Sequence, residues 1–474
     1  MEVALNTPQQ HQPESGSFRD REGRVYLHGQ RVFRGLSDTA LGHHRTLVET
    51  PFYRSFSESG QLVQTWEIAP ADNPLPADVQ GQWAGFLEHQ RIPVVSYPYE
   101  WSFSMLKDAA LLTLDVISAA LNANWTLKDA TPYNVQFIGR KAVFIDMASF
   151  EPLKAGEPWV GRRQFCEMFL FPLMLQAYKN VPFQPLMRGA IDGIPVQMAN
   201  GMFSLRDRLR RGVAGNVWLQ AKLDSRYANT DSDVRAELKN AGFNKELIKA
   251  NVNKLRKTVE KLEWSGAGSE WGDYASFHNY TGEDHRQKER FVEHTVAQLQ
   301  PGLVWDIGAN TGQFSRVAAR HAEQVVASDI DPLAVEQMYR DEELPKNILP
   351  LVQNVVDPSP DWGWRNKERL DLTRRAKPDL VLCLALIHHV VITANVPLAE
   401  FIEWLASLAP GMVIEYVSRQ DDKVIKLLRN KDDRYQDYSR ENLEAQLKKH
   451  YDIEQTQDLR DGARTLYSCK LKNS

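Results

Sequence analysis

The stretch that most constrains this chain is Val304–Phe314, VWDIGANTGQF. A short apolar run closes on Asp306, a Gly308-x-x-x-Gly312 bend follows, and helix-forming residues resume at once. Such a run reads as a buried strand leading through a tight turn into a helix. Gly308 takes backbone conformations that side chains resist and lets a ligand approach closely. Gly312 lets the helix start tight against the strand. The helix N-terminus then offers free N–H groups and the positive end of a dipole, suited to a carboxylate. A second apolar run, Gln324–Asp329, again ends in an acid, seventeen residues after Gly312. Beyond it come ILPLVQNVV (ending in Gln353–Asp357), a helical region, DLVLCLALI, the helix LAEFIEWLASLA, MVIEYV, DIEQTQ and RTLYSCKL. Short buried strands separated by helices predict an α/β fold with a mostly parallel sheet. Such sheets bind ligands at the carboxyl ends of the strands.

The residues discriminate between ligands. A dinucleotide fingerprint needs Gly-x-Gly-x-x-Gly, and Asn310 stands where its second glycine belongs. Asp306 would also repel a pyrophosphate. Asp329 is placed to accept both hydroxyl protons of a ribose. A ligand with an ammonium or sulfonium group, a carboxylate and a ribose fits, and S-adenosylmethionine has all of these.

On these motifs, residues 280–474 resemble the class I S-adenosylmethionine-dependent methyltransferases. The resemblance implies a Rossmann-like sheet and a cofactor site. In it Asp306, Gly308, Ala309, Asn310 and Gly312 line the methionine end, Asp329 holds the ribose and Ile330 packs on adenine. Asn354, with Val355 beside it and Asp357 as alternate, meets the adenine amino group. Leu384 lies at the end of the fourth strand near the sulfonium, and Tyr280 through Lys288 forms a lid. LALIHH (384–389), IEYVSRQDDK (414–423), RTLY (464–467), YNVQF (133–137) and IDGIP (191–195) are similar to a nodulation-protein-type branch of these enzymes.

Methyl transfer is an in-line displacement, so the protein must align a nucleophile and can take its proton. His388 and His389 are the expected bases, with Glu415 next and Tyr416 lining the pocket. No metal is expected: adjacent histidines should point apart, and no third ligand stands at a recognisable spacing.

The N-terminal half carries a different pattern. The helical run Ser104–Trp125 precedes Asp129, Asn134 and a hairpin (Val135–Ile138, Ala142–Ile145) that leads to Asp146. Asp…Asn…Asp in this order resembles the catalytic loop of protein-kinase-like folds, where the first is a base and the other two hold Mg²⁺. The departures are large. Asp129 follows Leu-Lys, Asp146 precedes Met-Ala, and no glycine-rich loop stands upstream. The first lysine of the chain is Lys107, so only an arginine such as Arg34 or Arg54 can stand in for a strand lysine. A kinase-like α+β domain without phosphotransfer, presenting substrate or a partner surface, is the expectation; a bifunctional enzyme and a non-catalytic cofactor sensor are its rivals. The aromatic segment Tyr97–Phe103 reads as core.

Length places these parts in one frame. At 474 residues the chain exceeds one core. The reading is a disordered tail (1–17), the kinase-like domain (18–200), a helical connector and linker (201–273) and the methyltransferase domain (274–474). In the connector, Leu247, Val252, Leu255, Val259 and Leu262 should bury one face of a helix and leave a solvated basic face. The net charge of −4 gives no global basic field. No Asn-Pro-Pro-Tyr or cysteine nucleophile follows the fourth strand, so the expected acceptor is a small molecule, glycan or protein, through O or N. Three scattered cysteines, no signal-like start and no apolar stretch of ~20 residues point to a cytoplasmic setting.

Overall fold

A computed structural model describes residues 13–154, 156–227, 244–266, 282–429, 431–432 and 434–472. The C-terminal half is built on a seven-stranded sheet. Its strands are β9 (Leu303–Ile307), β10 (Gln324–Asp329), β11 (Ile348–Val352), β12 (Leu380–Cys383), β13 (Gly411–Val417), β14 (Tyr451–Leu459) and β15 (Arg464–Leu471), in the order β11-β10-β9-β12-β13-β15-β14. Strands β9 to β13 run parallel, and β15 is antiparallel to both of its neighbours. The order reverses between β9 and β12, the switch point of a doubly wound sheet. β12 and β13 are buried along their whole length because helices cover both faces, whereas β14 alternates as an edge strand does. The Rossmann-like α/β expectation for this half is met. The region after β11 departs from it. The third strand stops at Val352, and residues 353–371 are irregular apart from one short turn, Trp364–Asn366. Positive φ at Gly363, Arg365 and Asn366 is incompatible with the helix expected there.

The N-terminal half holds a four-stranded antiparallel sheet in the order β1-β2-β4-β3: β1 (Gly23–His28), β2 (Arg31–Leu36), β3 (Thr65–Ile68) and β4 (Gly85–His89). Next comes the helix Phe103–Asn122, apolar enough to be buried on most sides. Two small ladders follow: β5 (Trp125–Leu127) with β8 (Phe150–Pro152), and the hairpin β6 (Val135–Ile138) with β7 (Lys141–Phe144). Gly139 makes that hairpin turn at φ +59°. Tyr97, Tyr99, Trp101 and Phe103 are buried, as expected of core aromatics. Two expectations need correcting. Residues 13–17 are not a free tail: Pro13 bridges Tyr26, and the Glu14 N–H donates to the Val25 carbonyl at 2.8 Å. In the helix Lys245–Glu260 the buried face is Ile248, Val252, Leu255 and Val259; Leu247 is 46% exposed, one residue off the stripe. The linker 265–273 lies mostly outside the described residues.

The halves share one apolar core, which includes Trp101 and Phe137 from the first and Trp305, Tyr339 and Leu349 from the second. Polar contacts lock it. Glu336, on the helix Pro332–Arg340, accepts from the Ser104 N–H at 2.9 Å and the Ser102 hydroxyl at 2.8 Å. The N-terminus of the helix Phe103–Asn122 is thus capped by the other half of the chain.

Candidate active site

A cavity of about 690 Å³ opens at the carboxyl ends of β9, β10 and β12, where the topology predicts a ligand. Its floor is the bend from Gly308 to Thr311; Gly312, expected to line it, lies behind it. Gly308, Asn310 and Gly312 all have positive φ (75°, 50° and 79°). A Cβ at Gly312 would stand 2.6 Å from the Met338 sulfur, so glycine is required there on both conformational and packing grounds. The Gly308 and Ala309 N–H groups donate to the Ser328 carbonyl at 2.8 and 2.9 Å. The Asn310 N–H donates to one oxygen of Asp329 at 2.7 Å, and the Asp331 N–H to the other at 2.9 Å. Asp329 is therefore held rigid with acceptor capacity left toward the cavity it lines. Burial pushes its carboxyl above the ordinary range, opposed by those two N–H bonds. Asp306 lies deeper and accepts from the Ser315 hydroxyl at 2.6 Å. Burial pushes its carboxyl up to about 6.

The remaining expected cofactor contacts divide. Ala309, Asn354, Val355 and Leu384 line the cavity, and Ile330 does so while 53% exposed. Asp357, the alternate, faces elsewhere and pairs with Arg188 at 2.6 Å. Lys288 lines the cavity, but its ammonium donates to Glu415 at 2.6 Å and sits 4.5 Å from the Phe314 ring centre. Tyr280 lies outside the described residues.

His388 and His389 reach the cavity side by side, with ring centres 4.3 Å apart. The two rings do not point apart, because the chain turns into a short helix at His389–Thr393. Even so, among the described residues no group of three or more His, Cys, Asp or Glu is arranged to hold a metal. His388 is buried, and neither ring nitrogen has a hydrogen-bond partner among the described residues. Burial holds it far below the usual imidazole range, and His389 is brought down to about 4. Both rings are neutral near pH 7, so each offers a nitrogen acceptor.

Glu415 departs from its expected role. It is buried beneath the cavity without lining it, and bonds both Lys288 and Arg464, the latter at 3.1 Å. Its two oxygens are thus each taken by a buried basic side chain, and burial pulls the Lys288 ammonium below its ordinary range while Glu415 opposes that. Tyr416 also turns away and packs against Tyr438, with ring centres 5.4 Å apart. The cavity wall includes residues that sequence reasoning missed: Gln353, Thr373, Trp404, Lys423 and Arg464. Lys423 and Arg464 fall inside the quoted segments IEYVSRQDDK and RTLY. Nothing in their spacing pointed to the cavity.

In the N-terminal half, Asp146 forms an ion pair with Arg34 at 2.5 Å, and Asp129 is pushed upward by burial and by Asp146. Arg34 is one of the two arginines anticipated as a substitute for a strand lysine.

No protein-family model matches the chain. It is similar to a structure of the N-methyltransferase NodS from Bradyrhizobium japonicum WM9 in complex with S-adenosyl-L-homocysteine, at 10% identity over 43% of this chain and 93% of that one, with a TM-score of 0.32. Magnesium protoporphyrin IX methyltransferase from Synechocystis PCC 6803, with the same molecule bound, matches at 21% identity over 42% of this chain and 90% of that one, TM-score 0.29. The nodulation protein NoeA of Rhizobium meliloti (strain 1021) is 34% identical over 458 residues, 96% of this chain and 95% of the relative. A match of that identity over nearly the whole of both chains settles kinship: the chain belongs to the NoeA family of nodulation proteins.

Proposed function

We propose that the chain is an S-adenosylmethionine-dependent methyltransferase acting on an O or N nucleophile of a small molecule, glycan or protein, and that it serves nodulation as its relative's name indicates. The observation that carries this is Asp329, fixed by two backbone N–H groups beside a glycine bend where a Cβ at Gly312 would run into Met338. The volume, about 690 Å³, is within the usual range for a small-molecule site. Asp329 would hold the ribose hydroxyls, the bend around Gly308 the methionine end, and Ile330 with Asn354 and Val355 the adenine. When bound, the cofactor supplies an electrophilic methyl group.

His388 takes the proton role. Its nitrogens have no partner among the described residues but are buried in this shape of the cavity, so to accept a hydrogen bond from the acceptor's O–H or N–H the ring must turn toward it. That contact orients the nucleophile and draws off its proton as the new bond forms. Glu415 supports it indirectly, holding Lys288 and Arg464 in place below. The N-terminal half is read as a kinase-like domain without phosphotransfer: Arg34 pairs with one oxygen of the carboxylate that a magnesium ion would need. Among the described residues no helix is long and apolar enough to cross a membrane, and a cytoplasmic setting remains part of this proposal.

The test is calorimetric titration with S-adenosylmethionine. Wild type is expected to bind and Asp329→Asn to bind far more weakly. Equal binding by both removes Asp329 from the site. Methyl-labelled cofactor incubated with cell extract then separates an enzyme, which labels a product, from a sensor, which labels nothing.

A further inference from the structure

Residues 353–371, irregular apart from the turn Trp364–Asn366, and the short helix Leu372–Arg375 after them form one side of the cavity, and N-terminal residues hold this wall in place. We propose that Glu100 is a positioning residue for the transferase cavity, setting the 353–375 wall through Gln353 and Arg375. The inference rests on the methyltransferase reading for the identity of the ligand, but not for the geometry.

Glu100 is fully buried in the turn Pro98–Glu100. One of its oxygens accepts from the Gln353 amide at 2.9 Å. Both oxygens receive the Arg375 guanidinium, a fork-to-fork pairing with 3.1 Å on one arm. Arg375 also donates to the Val95 carbonyl and, at 2.8 Å, to the Leu370 carbonyl. The carboxylate therefore ties together the start and the end of the wall.

Each tie leads to the cavity. Gln353 lines it, and its backbone N–H donates to the Asp329 carbonyl at 2.8 Å. The path from Glu100 to Asp329 thus runs through a single residue. Arg375 closes the helix Leu372–Arg375, whose Leu372 and Thr373 also line the cavity. The span between is stitched to the same half of the chain. Arg19 pairs with Glu368 at 2.6 Å, Arg369 lies 4.1 Å from the Tyr133 ring centre, and Trp362 meets Tyr99 edge-on. The segment has backbone bonds of its own, such as those between Trp362 and Arg369, and the contacts with the N-terminal half fix where it lies against the cavity. Glu100 is the grip that reaches both ends.

The experiment uses the full chain with S-adenosylhomocysteine as the probe, and compares Glu100→Gln with Tyr339→Phe. Tyr339 bonds Asp108 and the Arg140 carbonyl at the same junction between halves, but not the wall. Affinity, melting temperature and amide hydrogen exchange are read on each. Glu100→Gln is expected to weaken binding roughly tenfold and speed exchange within 353–375. Tyr339→Phe is expected to lower the melting temperature yet keep affinity within about twofold. Unchanged affinity and exchange in Glu100→Gln, or equal weakening in both variants, overturns the proposal. Should Glu100→Gln fail to melt cooperatively, Arg375→Lys, which loses the fork and keeps the charge, decides in its place. Failure of wild type to bind the probe refutes the methyl-donor reading instead, and the exchange arm then decides the positioning claim alone.

Discussion

Asp329 and Asp146 are both acids closing a short apolar strand, one in each half of the chain. The first is held by two backbone N–H groups and keeps acceptor capacity for the cavity. The second is taken up by the Arg34 guanidinium. The pattern of strand then acid is the same, and the neighbour decides its use. N–H groups orient a carboxylate without neutralising it, whereas a guanidinium 2.5 Å from one of its oxygens offsets its charge.

Four measurements break or sharpen that contrast: three at a single pH, the largest effect first, and one across pH. Gly312→Ala forces φ +79° on a residue with a Cβ and pushes that Cβ against Met338. A stability loss of about 2–4 kcal/mol in denaturant titration is expected, with cofactor binding lost as well. A variant of wild-type stability would show that the bend is not locked as described. Asp329→Ala removes the acceptors for a ribose; affinity for S-adenosylmethionine should fall about a hundredfold or more, read by calorimetry. Asp146→Ala should leave that affinity untouched and cost about 1 kcal/mol, since its ion pair with Arg34 is only partly shielded from water. Loss of cofactor affinity there would erase the distinction between the two acids.

The fourth effect is one of pH. His389 titrates near 4 in the folded chain, against ~6.5 for an exposed imidazole. Between those values the unfolded chain binds the extra proton, so this residue's contribution is whole above ~6.5 and is lost as pH falls toward 4. His389→Gln should therefore lose less stability over that window than wild type, by up to about 3 kcal/mol. Melting curves at stepped pH check it, and parallel slopes would contradict the assigned burial.

What was legible in the sequence was what the local chain dictates. The glycine bend, the Asp329 strand end and the Gly139 hairpin are each fixed by residues within a few positions of one another, and each stands where its spacing placed it. The remainder depends on partners far away in sequence. Glu415 read as a candidate base at a strand end. Lys288, 127 residues earlier, and Arg464, 49 residues later, make it the buried partner of two basic side chains. The wall at 353–375 read as helical, and its placement depends on residues such as Glu100, some 253–275 positions away. Leu247 was misplaced by one position because a helix stripe read from leucines and valines alone passed over Ile248.

The central claim is that Asp329 and the bend at Gly308–Gly312 form a cradle for a sulfonium nucleoside. The most direct measurement is a crystal structure of the full chain with S-adenosylhomocysteine. The account predicts the ribose hydroxyls within hydrogen-bond distance of the Asp329 carboxylate and the sulfur facing His388. Density for the ligand elsewhere, or a bend at Gly308 closed over by side chains, would contradict it.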